Sequence, residues 1–236
     1  MSKNSNSETR PSYIKRVERI NPEKQLTGIL SKKFGQRFKD YRKEYFKILD
    51  NKNNNYDHVP DYPLNVLVEV VNKCNLECIM CLSSHRKGDT KVISNETISK
   101  LLTEFKENNL PALMFGAGDE PLMFSDIDQM WKEANLSGIM DIFIFTNGTL
   151  LNEDMCKKIL EHEVSRVYIS LDAATEETYQ KIRLTNKKIN EEVTGNQKLK
   201  IINEEQNSLQ SIENNIKKLI EMRDARNLEL PQIRVS

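Results

Sequence analysis

Three cysteines, Cys74, Cys78 and Cys81, stand in the run Val71-Asn72-Lys73-Cys74-Asn75-Leu76-Glu77-Cys78-Ile79-Met80-Cys81, with the spacing C-x3-C-x2-C. They follow directly on an apolar run, Leu64-Asn65-Val66-Leu67-Val68-Glu69-Val70-Val71, rich in β-branched residues that favour strands. The chain must therefore pass from a strand into a short loop that gathers three thiols. Three thiolates on one loop can hold three corners of an iron–sulfur cube and leave the fourth iron without a protein ligand. Electron-transfer clusters generally close every iron with cysteine. An open iron suits a cluster that binds a small molecule and does chemistry on it. Zinc is the competing reading. Structural zinc takes four closing ligands, and the histidine close in sequence is His85.

Around this loop the chain alternates strand-like and helix-like patterns. Leu64–Val71, Ala112–Phe115, Asp141–Phe145 and Ser165–Leu171 read as strands, and a fifth begins near Gln232. Ser94, Ser125 and Asn152 read as N-caps of the helices between them. Asp128, three residues after Ser125, makes a near capping box. The helical faces are Ile98, Leu101, Leu102 and Phe105, then Ile127, Met130, Trp131 and Ala134, then Met155, Ile159 and Leu160. Cys156 falls on the third of these helices and reads as a small packing residue. Two more helices are expected, over Glu176–Arg183 and along Leu209, Ile212, Ile216, Leu219 and Ile220. Such alternation implies an α/β fold with a parallel sheet and right-handed crossovers. Ligands in such folds bind at the C-terminal ends of the strands.

The length, 236 residues, suits one sizeable domain plus an appendage. Lys+Arg 35 balances Asp+Glu 35, so no global field indicates nucleic acid or an anionic membrane. No apolar stretch is long enough to span a bilayer, and Met1–Arg10 lacks the apolar core of a secretory signal. A cytoplasmic location is the expectation. Clustering of three of the four cysteines is no disulfide framework and fits metal or redox work in a reducing compartment. Residues 1–12 read as a disordered tail, 13–60 as a helical extension and linker, and 61–236 as the core domain. Phe34, Phe38, Tyr41, Tyr45 and Ile48 predict one helix from Gly28 to Leu49, packed on the outside or one end of the core. A basic amphipathic helix also suits a membrane surface. Asn51-Lys52-Asn53-Asn54-Asn55 reads as a linker, and the polar stretch 184–207 as mobile for want of apolar anchors.

With these motifs in place, the chain resembles the radical S-adenosylmethionine (radical SAM) superfamily from about Leu64 to Ser236. That family carries C-x3-C-x2-C in the loop after the first strand of a parallel β/α barrel. The position before its last cysteine is usually aromatic; here it is Met80. The segment Phe115-Gly116-Ala117-Gly118-Asp119-Glu120-Pro121 resembles the family's Gly-Gly-Glu-Pro, with Asp119 in place of the second glycine. Ser170-Leu171-Asp172-Ala173 resembles Ser-Leu-Asp-Gly, and Thr146-Asn147-Gly148 resembles Thr-Asn-Gly. The resemblance implies Cys74, Cys78 and Cys81 as ligands of a [4Fe–4S] cluster. It implies Met80, Gly116, Gly118, Asp119, Glu120, Asn147, Ser170, Asp172 and Arg183 as contacts of S-adenosyl-L-methionine (SAM). Backbone groups of the Gly118-Asp119-Glu120 strand end would take the SAM amino group, where glycine permits close approach. Arg183 would pair with the SAM carboxylate as a forked donor.

The implied chemistry is reductive cleavage of SAM to a 5′-deoxyadenosyl radical that takes hydrogen from a substrate. The implied electron donor is of flavodoxin or ferredoxin type. The family's core is an open TIM-like barrel of six β/α units. Five strands are visible here, so the sixth is expected to be missing, the core incomplete at its C-terminus, and the open barrel edge free for a complementing chain. The phrase Val68–Leu76 resembles the SPASM-domain branch, whose members modify peptides, proteins or sugars. The Tyr41-Arg42-Lys43 helix resembles an extension in relatives encoded near surface-polysaccharide genes. The alternative is a catalytically incomplete iron–sulfur and SAM-binding chain that acts with a partner chain.

Overall fold

The computed structural model describes residues 22–49, 59–192 and 199–236. The tail over 1–12 and the linker over 51–55 lie outside the described residues.

Five short strands form one parallel sheet in sequence order: β1 (Asn65–Val68), β2 (Ala112–Phe115), β3 (Asp141–Thr146), β4 (Arg166–Ile169) and β5 (Gln232–Val235). The register runs Val68 to Phe115 to Ile144 to Val167, so one apolar row crosses the sheet. Side chains alternate along a strand, so Val68, Leu113, Phe115, Ile142, Ile144, Val167 and Ile169 share one face. That face is covered by α3 (Asn95–Glu107), α4 (Ile127–Leu136), α5 (Glu153–Glu161) and α8 (Leu209–Ala225), which supply Phe105, Trp131, Ile159 and Leu219 among others to the main core. Shorter helices α6 (Glu176–Ile182) and α7 (Lys187–Glu192) add Tyr179 and Ile189.

The opposite face carries Ala112, Met114, Phe143, Phe145 and Tyr168. The N-terminal extension packs there, as two helices where the sequence pattern predicted one. Helix α1 (Pro22–Phe34) and α2 (Gln36–Leu49) meet at Gly35, whose φ of +64° belongs to the left-handed region. Glycine enters that region without the Cβ clash that other residues meet, and so ends a helix. Leu26, Leu30, Phe38 and Tyr41 are buried against the sheet, Phe34 and Tyr45 partly so, and Ile48 is exposed. The extension meets the N-terminal end of the sheet. Arg37 Nη1 donates to Gly138 O at 2.8 Å, just before β3. Glu23 of α1 accepts from Arg42 at 3.0 Å and from Arg234 of β5 at 2.7 Å, and lies 3.6 Å from Arg166 of β4. Arg166 is also bound to the buried Asp141 of β3.

Two further expectations change. Ser125 does not cap α4; Asp126 holds that place without a side-chain hydrogen bond, because the turn Pro121–Met123 runs almost straight into the helix and Ile127 N donates to Phe124 O. Ser94 and Asn152 cap as predicted, accepting from Thr97 N and Met155 N. The stretch 184–207, expected to be mobile, is anchored over its described parts. Ile189, Leu199 and Ile202 are buried, and so is Asn207, which accepts from Tyr179 Oη at 2.8 Å and donates to Arg183 O at 2.8 Å. Three apolar anchors and one buried amide suffice to fix a segment whose composition is polar. No described helix is long and apolar enough to cross a membrane.

Candidate active site

The cysteine loop leaves the C-terminal end of β1 and is held by backbone pairing to the last residue of α6 and the segment after it. Glu77 N donates to Leu184 O at 2.7 Å, Ile79 N to Ile182 O at 3.1 Å, and Asn186 N to Asn75 O at 3.0 Å. These bonds replace the ladder that a strand would have given the loop. Cys78 is buried, and Cys74 and Cys81 are half-buried. Met80, with Ile79 and Leu82, is exposed. Burial pushes the Cys74 thiol up, and the nearby Glu120 and Cys78 add to the rise. Burial also raises Cys78, while the Arg183 guanidinium pulls it down and Cys81 raises it. The three thiols are thus electrostatic neighbours. Among the described residues, no group of three His, Cys, Asp or Glu side chains converges on a single metal ion. A cube takes its cysteines on three separate irons, so it needs thiols that ring a space.

The loop after β2 sits beside the cysteine loop. Gly116 has φ +79°, and a Cβ there would lie 2.5 Å from both Phe145 O and Pro121 Cδ, so its glycine is required by packing. Gly118 N donates to Glu69 Oε1 at 2.7 Å. Desolvation pushes the Glu69 carboxyl up, against the hydrogen bonds from Gly118 and Ala117. The Asp119 side chain is fully buried and accepts from Ser83 Oγ and Arg86 Nη1, both on the turn that follows Cys81. Both of its oxygens are therefore used within the protein. Glu120 is buried as well. Its Oε1 accepts from Thr146 Oγ1 at 2.8 Å and Leu122 N at 3.1 Å, and its Oε2 from Asn147 N at 2.7 Å. Burial pushes its carboxyl up to about 7.

The ends of β3 and β4 complete the mouth. Asn147 Nδ2 points at Cys74 Sγ across 3.6 Å. Ser170 continues the face of Tyr168, and its backbone N donates to Thr146 O at 3.0 Å. Asp172, in the left-handed region at φ +58°, accepts from Arg183 Nη2. Arg183 is 5% exposed, and its Nε has no hydrogen-bond partner among the described residues. A buried guanidinium with a free N–H beside Cys78 is a donor available to an anion.

All twelve residues singled out in the sequence lie on loops at one edge of the sheet or just beyond it. Cys74 meets Asn147, Glu120 meets Asn147, and Asp172 meets Arg183. Gly116 and Met80 are not drawn into these contacts. Glu69, Asn75, Ser83, Arg86 and Thr149 were missed. Glu69 had a signal, a lone carboxylate in an apolar strand; the others are ordinary loop polar residues whose partners are distant in sequence.

The sequence model of the Radical SAM superfamily matches residues 68–223, well over half of the chain. The chain belongs to the radical SAM superfamily. Radical SAM enzymes use a [4Fe–4S] cluster and SAM. The chain is 32% identical over 116 residues to 7,8-dihydro-6-hydroxymethylpterin dimethyltransferase of Methanocaldococcus jannaschii, covering 48% of this chain and 23% of the relative. It is 31% identical over 119 residues to a probable GTP 3′,8-cyclase of the same organism, covering 49% and 38%. It is 31% identical over 112 residues to Fe-coproporphyrin III synthase of Methanosarcina barkeri, covering 47% and 28%. The chain thus spans well under half the length of these curated relatives. Among solved structures, native anSMEcpe with bound AdoMet matches with a TM-score of 0.52 at 17% identity, over 73% of this chain and 43% of that one. That likeness bears out the parallel barrel-type α/β fold.

Proposed function

We propose that Cys74, Cys78 and Cys81 hold three irons of a [4Fe–4S] cluster, that the loops after β2, β3 and β4 hold SAM beside it, and that the substrate is a small heterocyclic cofactor precursor. The observation that carries the reading is placement. The cysteine loop follows β1, and the Gly118-Asp119-Glu120, Thr146-Asn147-Gly148 and Ser170-Leu171-Asp172 segments follow the next three strands at the same edge of one sheet. When bound and reduced, the cluster supplies reductive cleavage of SAM to a 5′-deoxyadenosyl radical.

The chain's own residues supply position and shielding. The Gly118 and Asp119 carbonyls are offered to the amino group of SAM, because Gly118 N is taken by Glu69 and the Asp119 and Glu120 carboxylates are already engaged by protein donors. Arg183, steadied by Asp172, offers its free Nε to a carboxylate. Met80 offers an exposed thioether side chain to the flat adenine. A one-electron donor of flavodoxin or ferredoxin type is required from outside. The relatives at about a third identity are named for work on a pterin, on GTP and on a porphyrin. Those names favour a cofactor-type substrate over the peptide, protein or sugar expected from the Val68–Leu76 phrase.

The second reading is an iron–sulfur and SAM-binding chain that acts with a partner chain. Anaerobic reconstitution with iron and sulfide, then dithionite and SAM, tests both readings. Formation of 5′-deoxyadenosine above a Cys74→Ser/Cys78→Ser/Cys81→Ser control supports the first. A bound cluster without product supports the second. Absence of a cluster overturns both.

A further inference from the structure

A closed ring of three buried polar side chains lies against the cysteine loop. Asn147 Nδ2 donates to Asn75 Oδ1 at 2.7 Å, Asn75 Nδ2 to Thr149 Oγ1 at 2.9 Å, and Thr149 Oγ1 to Asn147 Oδ1 at 2.7 Å. None of the three residues is more than 6% exposed. Polar groups buried this deeply are costly unless every partner is in place. Apolar side chains would have filled the space more simply.

The ring fixes the direction of one amide. Thr149 N also donates to Asn147 Oδ1, at 3.0 Å, which identifies that atom as the oxygen. The Asn147 NH2 group must then face the cysteine loop, where it lies 3.6 Å from Cys74 Sγ. The backbone of Asn147 is held independently, by its N–H to Glu120 Oε2 at 2.7 Å. A second donor, Leu76 N, lies 3.4 Å from the same sulfur. Cys74 is thus the sulfur on which two fixed N–H groups converge.

We propose that Asn147, locked by Asn75 and Thr149, is a positioning residue for Cys74 whose amide raises the reduction potential of the cluster. This rests on the reading of the three cysteines as cluster ligands. Reduction adds negative charge to the cluster and its thiolates. A donor aimed at a ligand sulfur stabilises the reduced form more than the oxidised one, and hydrogen bonds to the sulfurs are among the levers that set the potential of such clusters. A freely rotating amide would lose part of this effect to reorientation; the ring prevents that. The consequence is an easier first electron transfer, from a donor of less extreme potential.

The test is an EPR-monitored redox titration of the reconstituted protein without SAM, with iron content and the melting temperature of the cluster-free form measured alongside. The wild type is compared with Asn147→Ala, Thr149→Val and Thr149→Ser. The inference predicts a more negative midpoint for Asn147→Ala, a smaller shift in the same direction for Thr149→Val, and the wild-type value for Thr149→Ser. A residue that touched only SAM would leave these SAM-free potentials unmoved. An Asn147→Ala protein with full iron and the wild-type midpoint overturns the inference. If Asn147→Ala fails to hold a cluster, the valine and serine variants at Thr149 decide, and equal midpoints for the two overturn it. Failure of the wild type itself to take up a [4Fe–4S] cluster overturns the underlying reading as well, and is recognised in that sample alone.

Discussion

Asp119, in the loop after β2, accepts the guanidinium of Arg86, in the turn after Cys81. Ser83 donates to the same carboxylate. The residue that departs from the family's glycine thereby ties the cysteine loop to the loop after β2. Arg86 also donates to Asn72 O at 3.4 Å, which returns the tie to the end of β1.

Asp119→Asn keeps the size of this side chain and removes its charge. Hydrogen bonds to charged groups contribute about 1.5–3 kcal/mol, and each 1.4 kcal/mol is about a factor of ten in affinity. The expected result is a KM for SAM raised roughly tenfold or more, with iron content retained, measured from 5′-deoxyadenosine formation. Arg86→Gln should behave alike, and the double variant should be little worse than either single one. Strictly additive losses would show that the two side chains act separately.

Glu120 makes stability depend on pH. Burial lifts its folded-state pKa from the ordinary 4.5 to about 7, so the folded chain binds the proton more tightly than the unfolded chain. Its contribution is complete below 4.5 and is lost as the pH rises through about 7, a change of roughly 3 kcal/mol at ~1.4 kcal/mol per pKa step. Urea unfolding of the cluster-free protein at several pH values should show the fall. In Glu120→Gln the fall should be largely absent. The same slope in wild type and variant would assign it to other groups.

Gly116→Ala places a methyl group within 2.5 Å of a backbone oxygen and a proline ring, at a φ of +79°. Strain of this kind costs about 1–3 kcal/mol, and the buried clash adds to it. A melting temperature lower by several degrees is expected. An unchanged melting temperature would mean that the loop after β2 adjusts freely, in conflict with its packing on Pro121.

Glu23 is the acidic centre that joins the N-terminal helices to β4 and β5. Removing it by Glu23→Ala leaves the Arg42 side chain, 6% exposed, and the Arg166 side chain, 9% exposed, short of a partner. Breaking a buried pair from one side costs about 3 kcal/mol or more. Glu23 itself is 36% exposed and its third named partner, Arg234, 30%, so a smaller loss of about 2 kcal/mol in denaturant unfolding is expected. No loss would separate the extension from the stability of the sheet.

The order of strands and helices was legible because period-2 and period-3.6 patterns survive burial on one face. Val167 and Ile169 alternate against Tyr168, and Phe105 and Trp131 fall on helical faces. The break at Gly35 was hidden by an aromatic stripe that continues in step across it, from Phe34 to Phe38. The order of 184–207 was hidden because its anchors, Ile189, Leu199 and Ile202, are isolated in polar sequence. At the site, the cysteines and the strand-end motifs are local in sequence and could be read directly. The Asn75–Asn147–Thr149 ring and the Asp119–Arg86 pair depend on contacts across 72 and 33 residues, which no local pattern records.

The central claim is that a [4Fe–4S] cluster on Cys74, Cys78 and Cys81 keeps one iron open for SAM. The most direct measurement is the EPR spectrum of the dithionite-reduced, reconstituted protein before and after SAM is added. The account predicts a [4Fe–4S] signal whose shape and g-values change on adding SAM, and no such signal in the Cys78→Ala protein. A [4Fe–4S] signal that SAM leaves unaltered, at concentrations well above those that saturate related enzymes, would contradict it.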